Sequence, residues 1–475
     1  MLRGLEAALF FTLSFIVLTP LQSYAQQSED ILSIDLPEAL EKARNNYPTL
    51  KKRVAEKQAA GEELRAMMAG YLPKAGIQAQ ALFGTSNQVR GVNLGYEGLL
   101  PGLSGSIKTN EFNWQPAWTS SAVSMVDWQA FTFGRKASDR SIGVSRQDVA
   151  NQLYEQELFE HQVRVADVYL LALNAQKYAR IQERNLRRNE DILSVTRANA
   201  NSGLKAGIDS SIAIAESTKA LLQWMESQAR VKKYQELLCE LIGEPGRELD
   251  IDTMNFYSKL PPDFNFASSE PEKHPHVLTL LARQKAVESE MKRARLGVMP
   301  ELHLMGAFWG RGSGIKERPG PEGDFYISSS LSGLGLRAFN YAMGATLVWF
   351  PTRAFQTRRQ ISAQHYRFIA AQEAYNATLL KTKADLRNSD IQFNLAYQSV
   401  QKTPTLLNAA KQAYAQSKAR YESGLENILL LTQVADLYIK AEAEYYISVN
   451  NVWRSLLVKS AAKGDFTVFL DQISN

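Results

Sequence analysis

From Leu158, every seventh residue is apolar: Val165, Ala172, Ala179, Leu186, Leu193 and Ala200 follow. The ladder recurs 221 residues later as Leu379, Leu386, Phe393, Val400, Leu407, Tyr414 and Tyr421, with no insertion or deletion between the copies. A strict seven-residue repeat seats one stripe of a helix against partner helices. It predicts two helices, about 135–201 and 353–422, each ~100 Å long at 1.5 Å per residue and so of coiled-coil rather than globular length. Gly203 and Gly424 are expected to stop them, with return helices over about 209–242 and 427–463 ending at Gly243 and Gly464. Pro404 lies inside the second ladder, where Glu183 stands in the first; its missing N–H predicts a kink.

Ahead of each ladder the period changes to two. After Gly70-Tyr71-Leu72-Pro73, Ile77, Ala79, Ala81 and Phe83 alternate with Gln78 and Gln80. After Gly297-Val298-Met299-Pro300, the apolar set is Leu302, Leu304, Gly306 and Phe308, and a return segment carries Tyr341, Met343, Ala345, Leu347 and Trp349. Alternation predicts strands with two unlike faces, hence β-hairpins over about 74–131 and 301–350, with Leu304 and Leu347 on the apolar face. The first return strand, about 117–131, alternates less cleanly, and Asp127 leaves its facing open. Polar, glycine-rich stretches at about 85–115 and 311–338 read as loops. Upstream landmarks repeat at an offset of 227, as in Pro48 and Pro275, so the six-residue difference falls between Pro73 and Trp128. The chain divides into repeats at about 26–260 and 261–475, the second opening with a helix that runs to 297.

Residues 1–25 have the layout of a secretory signal, with Arg3, an apolar run from Ala7 to Leu18, and the small-residue site Ser23-Tyr24-Ala25. No later stretch reaches the ~20 apolar residues of a spanning helix. The one cysteine, Cys239, can form no internal disulfide. The formal charge of +5 is dispersed along the chain, unlike a nucleic-acid footprint. No phosphate loop is present, and the glycines of Trp309 to Gly314 follow a strand without opening a helix. The five histidines offer no ligand spacing with cysteine or carboxylate, and no nucleophile–base or paired-carboxylate arrangement stands out, so neither cofactor nor enzyme activity is expected. Four strands cannot close a barrel in lipid, where every backbone amide must be paired; strands from several identical chains could.

In these features the chain resembles the TolC-like outer-membrane efflux protein family. The resemblance rests on Leu36-Pro37-Glu38-Ala39-Leu40, the junction from Trp128 through Phe133-Gly134-Arg135, the tip Asn201-Ser202-Gly203-Leu204, and its partner Arg420-Tyr421-Glu422-Ser423-Gly424-Leu425. It implies a mainly α fold with a small β part: long antiparallel coiled-coil helices forming an α-barrel, plus four strands per chain in a twelve-stranded transmembrane β-barrel of a homotrimer. It further implies an outer-membrane location with a long periplasmic extension, and a passive exit duct for efflux or type I secretion. The implied partners are a periplasmic membrane-fusion adaptor and an inner-membrane RND or ABC-type transporter. The rival reading is an exported coiled-coil scaffold or adhesin without a pore.

Candidate residues follow. Gly203, Leu204, Gly424 and Leu425 are expected at the periplasmic tip as adaptor contacts, with helix stops the alternative reading. The family implies an entrance narrowed by the return helices and ringed with acids. Here Asp209, Glu422, Glu426 and Asp436 are the acidic candidates, or else solvated surface charges, while Leu429 and Leu430, with Leu431, offer closure by dewetting. Trp309 and Trp349, with Trp118, Phe325 and Tyr326, are candidate membrane-interface aromatics, with ordinary packing the alternative.

Overall fold

The computed structural model describes residues 32–85, 114–201, 207–247, 249–251, 254–261, 270–317, 325–327 and 330–474; the expected signal segment lies outside them. The elements run β1 (Leu32–Ile34), α1 (Leu36–Asn46), α2 (Pro48–Ala69), β2 (Lys74–Gly84), β3 (Ala117–Phe131), α3 (Arg135–Asn201), α4 (Gly207–Ile242), β4 (Leu249–Ile251) and α5 (Met254–Ser258), which complete the first repeat. The second holds α6 (Pro275–Arg295), β5 (Glu301–Ser313), β6 (Ile315–Glu317), β7 (Phe325–Ile327), β8 (Ala338–Val348), α7 (Arg353–Glu422), α8 (Ile428–Lys463) and α9 (Thr467–Ser474).

Local chemistry sets these boundaries twice over. Asp35 Oδ1 accepts from the Glu38 N–H at 2.8 Å, and Pro37 occupies the first turn of α1. Tyr47 and His274, both extended, precede Pro48 and Pro275 at the starts of α2 and α6. The return helices α4 and α8 end at Gly243 and Gly464 with φ of 76° and 77°, the left-handed stop that glycine adopts without penalty. Space demands glycine there as well, since a Cβ on Gly243 would sit 2.8 Å from Asn46 and one on Gly464 2.9 Å from the His274 backbone. Each return helix therefore closes against the start of its own repeat.

β2, β3, β5 and β8 form one antiparallel sheet in that order, leaving β2 and β8 as open edges. From its lower end hang α3 and α7. In the half nearest the sheet they pack against α2 and α6; in the far half their partners are the return helices α4 and α8. The main core lies midway, where parallel β1 and β4 meet α1, α3, α5 and α8. Tyr169, Phe256, Trp453 and Phe469 form a chain of ring contacts there. The helix α7 runs unbroken through Pro404.

The second glycine-rich stretch differs from a simple loop. β5 extends through Arg311 to Ser313, and a single 3-10 turn, Ser330–Leu334, lies against β3 and β5. Its glycines serve close approach: a Cβ on Gly312 would come 2.1 Å from the Gly335 carbonyl oxygen, and Ser120 Oγ donates to the Gly333 carbonyl at 2.8 Å.

Candidate functional site

Directly opposed residues of an antiparallel pair project to the same side, so register assigns every strand residue to a face. Ile77 opposes Ser124, Phe83 opposes Trp118, Trp128 opposes Leu304, Phe308 opposes Tyr341, and Leu302 opposes Leu347. One face is therefore apolar across all four strands. A bulge between Gln129 and Phe131 brings Phe131 opposite Leu302 and keeps it on this side. The other face carries Lys74, Gln78, Gln80, Asp127, His303, Arg311 and Asn340, with His303 Nδ1 3.0 Å from Asp127 Oδ1. Asp127, ambiguous in the sequence, belongs to the polar side.

Apolar residues remain widely exposed in the single chain, with Ile77 at 88% and Met343 at 82%. From Phe339 to Leu347 the apolar face runs ~27 Å at ~3.4 Å per residue. The ~40° tilt of barrel strands shortens this to about 21 Å, near the ~25 Å apolar band of outer-membrane barrels. Aromatics flank it at both levels. Near the helices, Trp128 and Trp349 donate their indole N–H to the Tyr71 and Val298 carbonyls at 3.2 and 3.0 Å, one bond made twice at the repeat offsets. At the far level, Phe83 contacts Trp118 and Phe308 stacks with Phe339. Trp309 is not among them. It opposes Val123 and Asn340, one residue out of step with Phe308, and so shares the polar face. The expected outward Trp309 is thereby corrected: Phe308 and Phe339 hold that level of the apolar face. The side chains of Phe325 and Tyr326 lie outside the described residues.

At the opposite pole, α7 ends in a left-handed stop at Gly424 with φ of 75°. Its N–H donates to the Tyr421 carbonyl at 3.0 Å, and that of Leu425 to the Arg420 carbonyl at 2.9 Å. Asn427 Oδ1 then caps α8 by accepting from the Leu430 N–H at 2.9 Å. Beneath this turn, Ile428 and Leu431 pack with Ile192, Ala213 and Tyr421, and the Tyr421 hydroxyl lies 2.8 Å from Thr196 Oγ1. The expected leucine run thus divides. Leu431 is core, whereas Leu429, Leu430 and Leu425 are 53%, 46% and 72% exposed.

The acidic candidates also separate. The Glu426 side chain is only 7% exposed and accepts from Arg420 Nε at 3.1 Å and Ser417 Oγ at 2.5 Å, so its charge is held inside the turn rather than offered to solvent. Asp436 pairs with Lys219 at 3.2 Å, tying α8 to α4, and hydrogen bonds to Glu216 and Asp436 hold the Lys219 ammonium above its usual range. Glu422 remains exposed, 3.8 Å from Lys418, and Asp209 is half-buried in the first turn of α4. Gly203 and Leu204 lie outside the described residues.

These two poles can be compared with known proteins. The family model for outer membrane efflux proteins matches residues 39–244 and 268–449, most of both repeats. This chain belongs to the outer membrane efflux protein family. It is 24% identical over 451 residues to Outer membrane protein TolC of Escherichia coli, covering 92% of this chain and 83% of TolC. It is also 24% identical over 353 residues to the pyoverdine export outer membrane protein OpmQ of Pseudomonas putida, covering 71% and 68%. The crystal structure of CusC superimposes with a TM-score of 0.73 at 12% identity, covering 94% of this chain and 96% of CusC. The apolar sheet face is accordingly the outer-membrane seat of an efflux-family channel, and the long helices are its periplasmic part.

Sequence reasoning missed one element of this efflux protein, the joint between sheet and rods. Arg135, buried at the head of α3, donates through Nε to the Leu296 carbonyl at 3.1 Å and through Nη2 to the Met299 carbonyl at 2.6 Å, and pairs with Glu301. Beside it, Asp139 accepts from the Tyr71 hydroxyl and from Arg293 Nε. Burial and the neighbouring Asp139 push the Tyr71 phenol up to about 12, so it stays a donor. The available signal was Phe133-Gly134 before Arg135: both have positive φ, 47° and 92°, a reversal that aims the arginine back at the second repeat.

Proposed function

We propose that this chain is the passive exit duct of a tripartite efflux or type I secretion system, working as a homotrimer. Three four-stranded sheets form a twelve-stranded barrel and the rods beneath form a continuous tube. A periplasmic adaptor meets the tube at the tip, around Gly424 and Leu425, with Gly203 and Leu204 the matching positions of the first repeat. An inner-membrane RND or ABC-type transporter supplies the energy. The observation that carries this reading is one sheet with an apolar face and a polar face, open at both edges, mounted on helices of 67 and 70 residues. A pore-free scaffold would have no use for an apolar band of membrane height backed by a polar surface. Leu429 and Leu430, exposed beside the tip, are the residues proposed to narrow the entrance, with Glu422 and Asp209 the acids nearest to it; Glu426 and Asp436 act instead as internal ties.

The test is reconstitution. Detergent-purified protein is expected to run as a heat-modifiable oligomer of three chains and to conduct ions across planar bilayers. Recovery as a soluble periplasmic monomer that leaves bilayers silent would overturn the reading.

A further inference from the structure

The apolar sheet face is incomplete at its far rim in one repeat only. Phe83 opposes Trp118 in the first hairpin; moving the two by 227 and 221 residues gives Gly310 and Phe339, which are opposed in the second. A glycine thus stands where the first repeat has an aromatic. One step further from the helices, the same face carries Gly312 opposite Ser120. The strands alone leave this corner without large side chains, and the ~21 Å from Phe339 to Leu347 stops short of the ~25 Å apolar band.

The chain itself fills the corner. The 3-10 turn Ser330–Leu334 and the residues up to Leu336 lie as a strap on this face. A Cβ on Gly310 would sit 3.2 Å from Leu336 Cδ1, and one on Gly333 1.6 Å from the Trp118 carbonyl oxygen, so glycines on both surfaces let backbone approach backbone. The Gly314 N–H donates to that same carbonyl at 2.9 Å, and Ser120 Oγ donates to the Gly333 carbonyl. Leu331, Leu334 and Leu336 are 66%, 44% and 39% exposed. The strap overlies Gly312, one two-residue step beyond Phe339 and ~5 Å higher after strand tilt, so its leucines bring the band to membrane height. Arg337 follows at the rim. Its N–H donates to the Arg311 carbonyl at 2.8 Å, and Ala338 opposes Arg311 on the polar face, so alternation turns Arg337 to the side of Phe339. It is exposed and in no ion pair among the described residues.

We propose that the strap and Arg337 seat one lipid of the outer leaflet: an acylated, phosphorylated glycolipid, with acyl chains on Leu331, Leu334 and Phe339 and a phosphate on the Arg337 guanidinium. The long helices are the periplasmic part, so the far rim lies in the leaflet turned away from the periplasm. The seat continues the membrane-facing band upward, and it rests on that band rather than on what the duct carries. A segment serving to plug a bore would lie on the polar face; this one is pinned to the apolar face by the Ser120 and Gly314 bonds. Three leucines beside Phe339 make a patch broad enough for more than one acyl chain. A single cation at its upper edge, with no carboxylate bound to it, selects an anionic headgroup, and the guanidinium fork matches phosphate oxygens through paired N–H donors.

The test titrates the detergent-purified full-length protein with three lipids and counts adducts by native mass spectrometry. Diphosphoryl lipid A is expected to bind more tightly than dephosphorylated lipid A or phosphatidylglycerol. Arg337→Gln is expected to weaken diphosphoryl lipid A about tenfold, the worth of one charge-assisted hydrogen bond, and to leave the dephosphorylated form unchanged. Leu331→Ser/Leu334→Ser is expected to weaken both forms. Equal binding of phosphatidylglycerol, or an Arg337→Gln protein that binds diphosphoryl lipid A like the parent, would reduce the seat to ordinary bulk lipid and overturn the proposal. In cells, Leu331→p-benzoylphenylalanine is expected on irradiation to give an adduct that stains for lipopolysaccharide. An adduct with a second copy or a foreign polypeptide instead would assign the strap to a protein partner and likewise overturn it. A protein that conducts in bilayers yet shows no lipid preference loses this inference alone; one that neither inserts nor conducts loses the functional reading as well.

Discussion

Gly424 combines an αL backbone with open space: a Cβ built there meets nothing within 4 Å. Substitution is therefore opposed by conformation alone, at ~1–2 kcal/mol for a non-glycine residue, too little to unfold a chain of this size. Gly424→Val is expected to leave the trimer assembled on unheated gels while export falls, read as lost drug tolerance in the producing cell; full tolerance would refute a role for the tip. His161 presents a different chemistry. It is 1% exposed and stacks on Tyr47 at 3.9 Å. Its Nε2–H donates to the Leu241 carbonyl at 3.0 Å, while Nδ1 has no partner. Burial pulls its pKa down to about 4, against ~6.5 for a free imidazole, so between these values the unfolded chain binds the extra proton. Stability is whole above ~6.5 and drains as pH falls toward 4, by at most ~1.4 kcal/mol per unit. Melting curves at pH 7, 6 and 5 should show this slope and His161→Gln should flatten it; His274, also pressed down by burial, leaves a residual slope.

Between strands, the assignment of faces makes a sharper experiment than hydrophobicity alone. Met343 and Ala342 are neighbours midway along β8 that face opposite ways. Met343→Arg is expected to cost ~2–4 kcal/mol at a lipid-facing midplane site and to deplete the heat-modifiable band in outer-membrane fractions, whereas Ala342→Arg is tolerated; the reverse order would invert the sheet. At the joint, Arg135→Ala leaves Glu301 and two carbonyls without their donor, a loss of about 3–5 kcal/mol by analogy with broken buried pairs. Arg135→Lys should recover little, since one ammonium cannot reproduce the fork, and melting temperatures of the two variants check this. Much of this level was legible because local pattern reveals it: the ladders, the stops at Gly243, Gly424 and Gly464 and the alternation of β2, β5 and β8 all lie within short windows. β3 was not, because Ser120, Ser121 and Ser124 put small polar residues on both faces, and only its neighbours' register sorts them. Trp309 misled because it was weighed as an aromatic rather than by its step relative to Phe308. Arg135 was illegible because its partners lie more than 160 residues away.

For the whole molecule the decisive quantity is the cost of an open edge. β2 and β8 each present 11 residues to no partner, leaving about ten outward backbone N–H and C=O groups on each edge. At several kcal/mol apiece in hydrocarbon, a lone inserted chain would be penalised by tens of kcal/mol, well beyond the ~5–15 kcal/mol that holds a domain folded. Closure must therefore accompany or precede insertion, and the exposed apolar residues of α4 and α7, among them Leu222, Leu380 and Ile391, offer chains in water a surface on which to associate first. Pulse-labelled cells should accordingly contain two populations, soluble chains that proteases digest and inserted oligomers that resist urea extraction and melt apart only on heating. Slowing synthesis should lengthen the soluble phase with a concentration dependence above first order, because several chains must meet. A urea-resistant monomer in the outer membrane, at any time after the pulse, would mean that the edges are satisfied within one chain and that the ring is not what closes them.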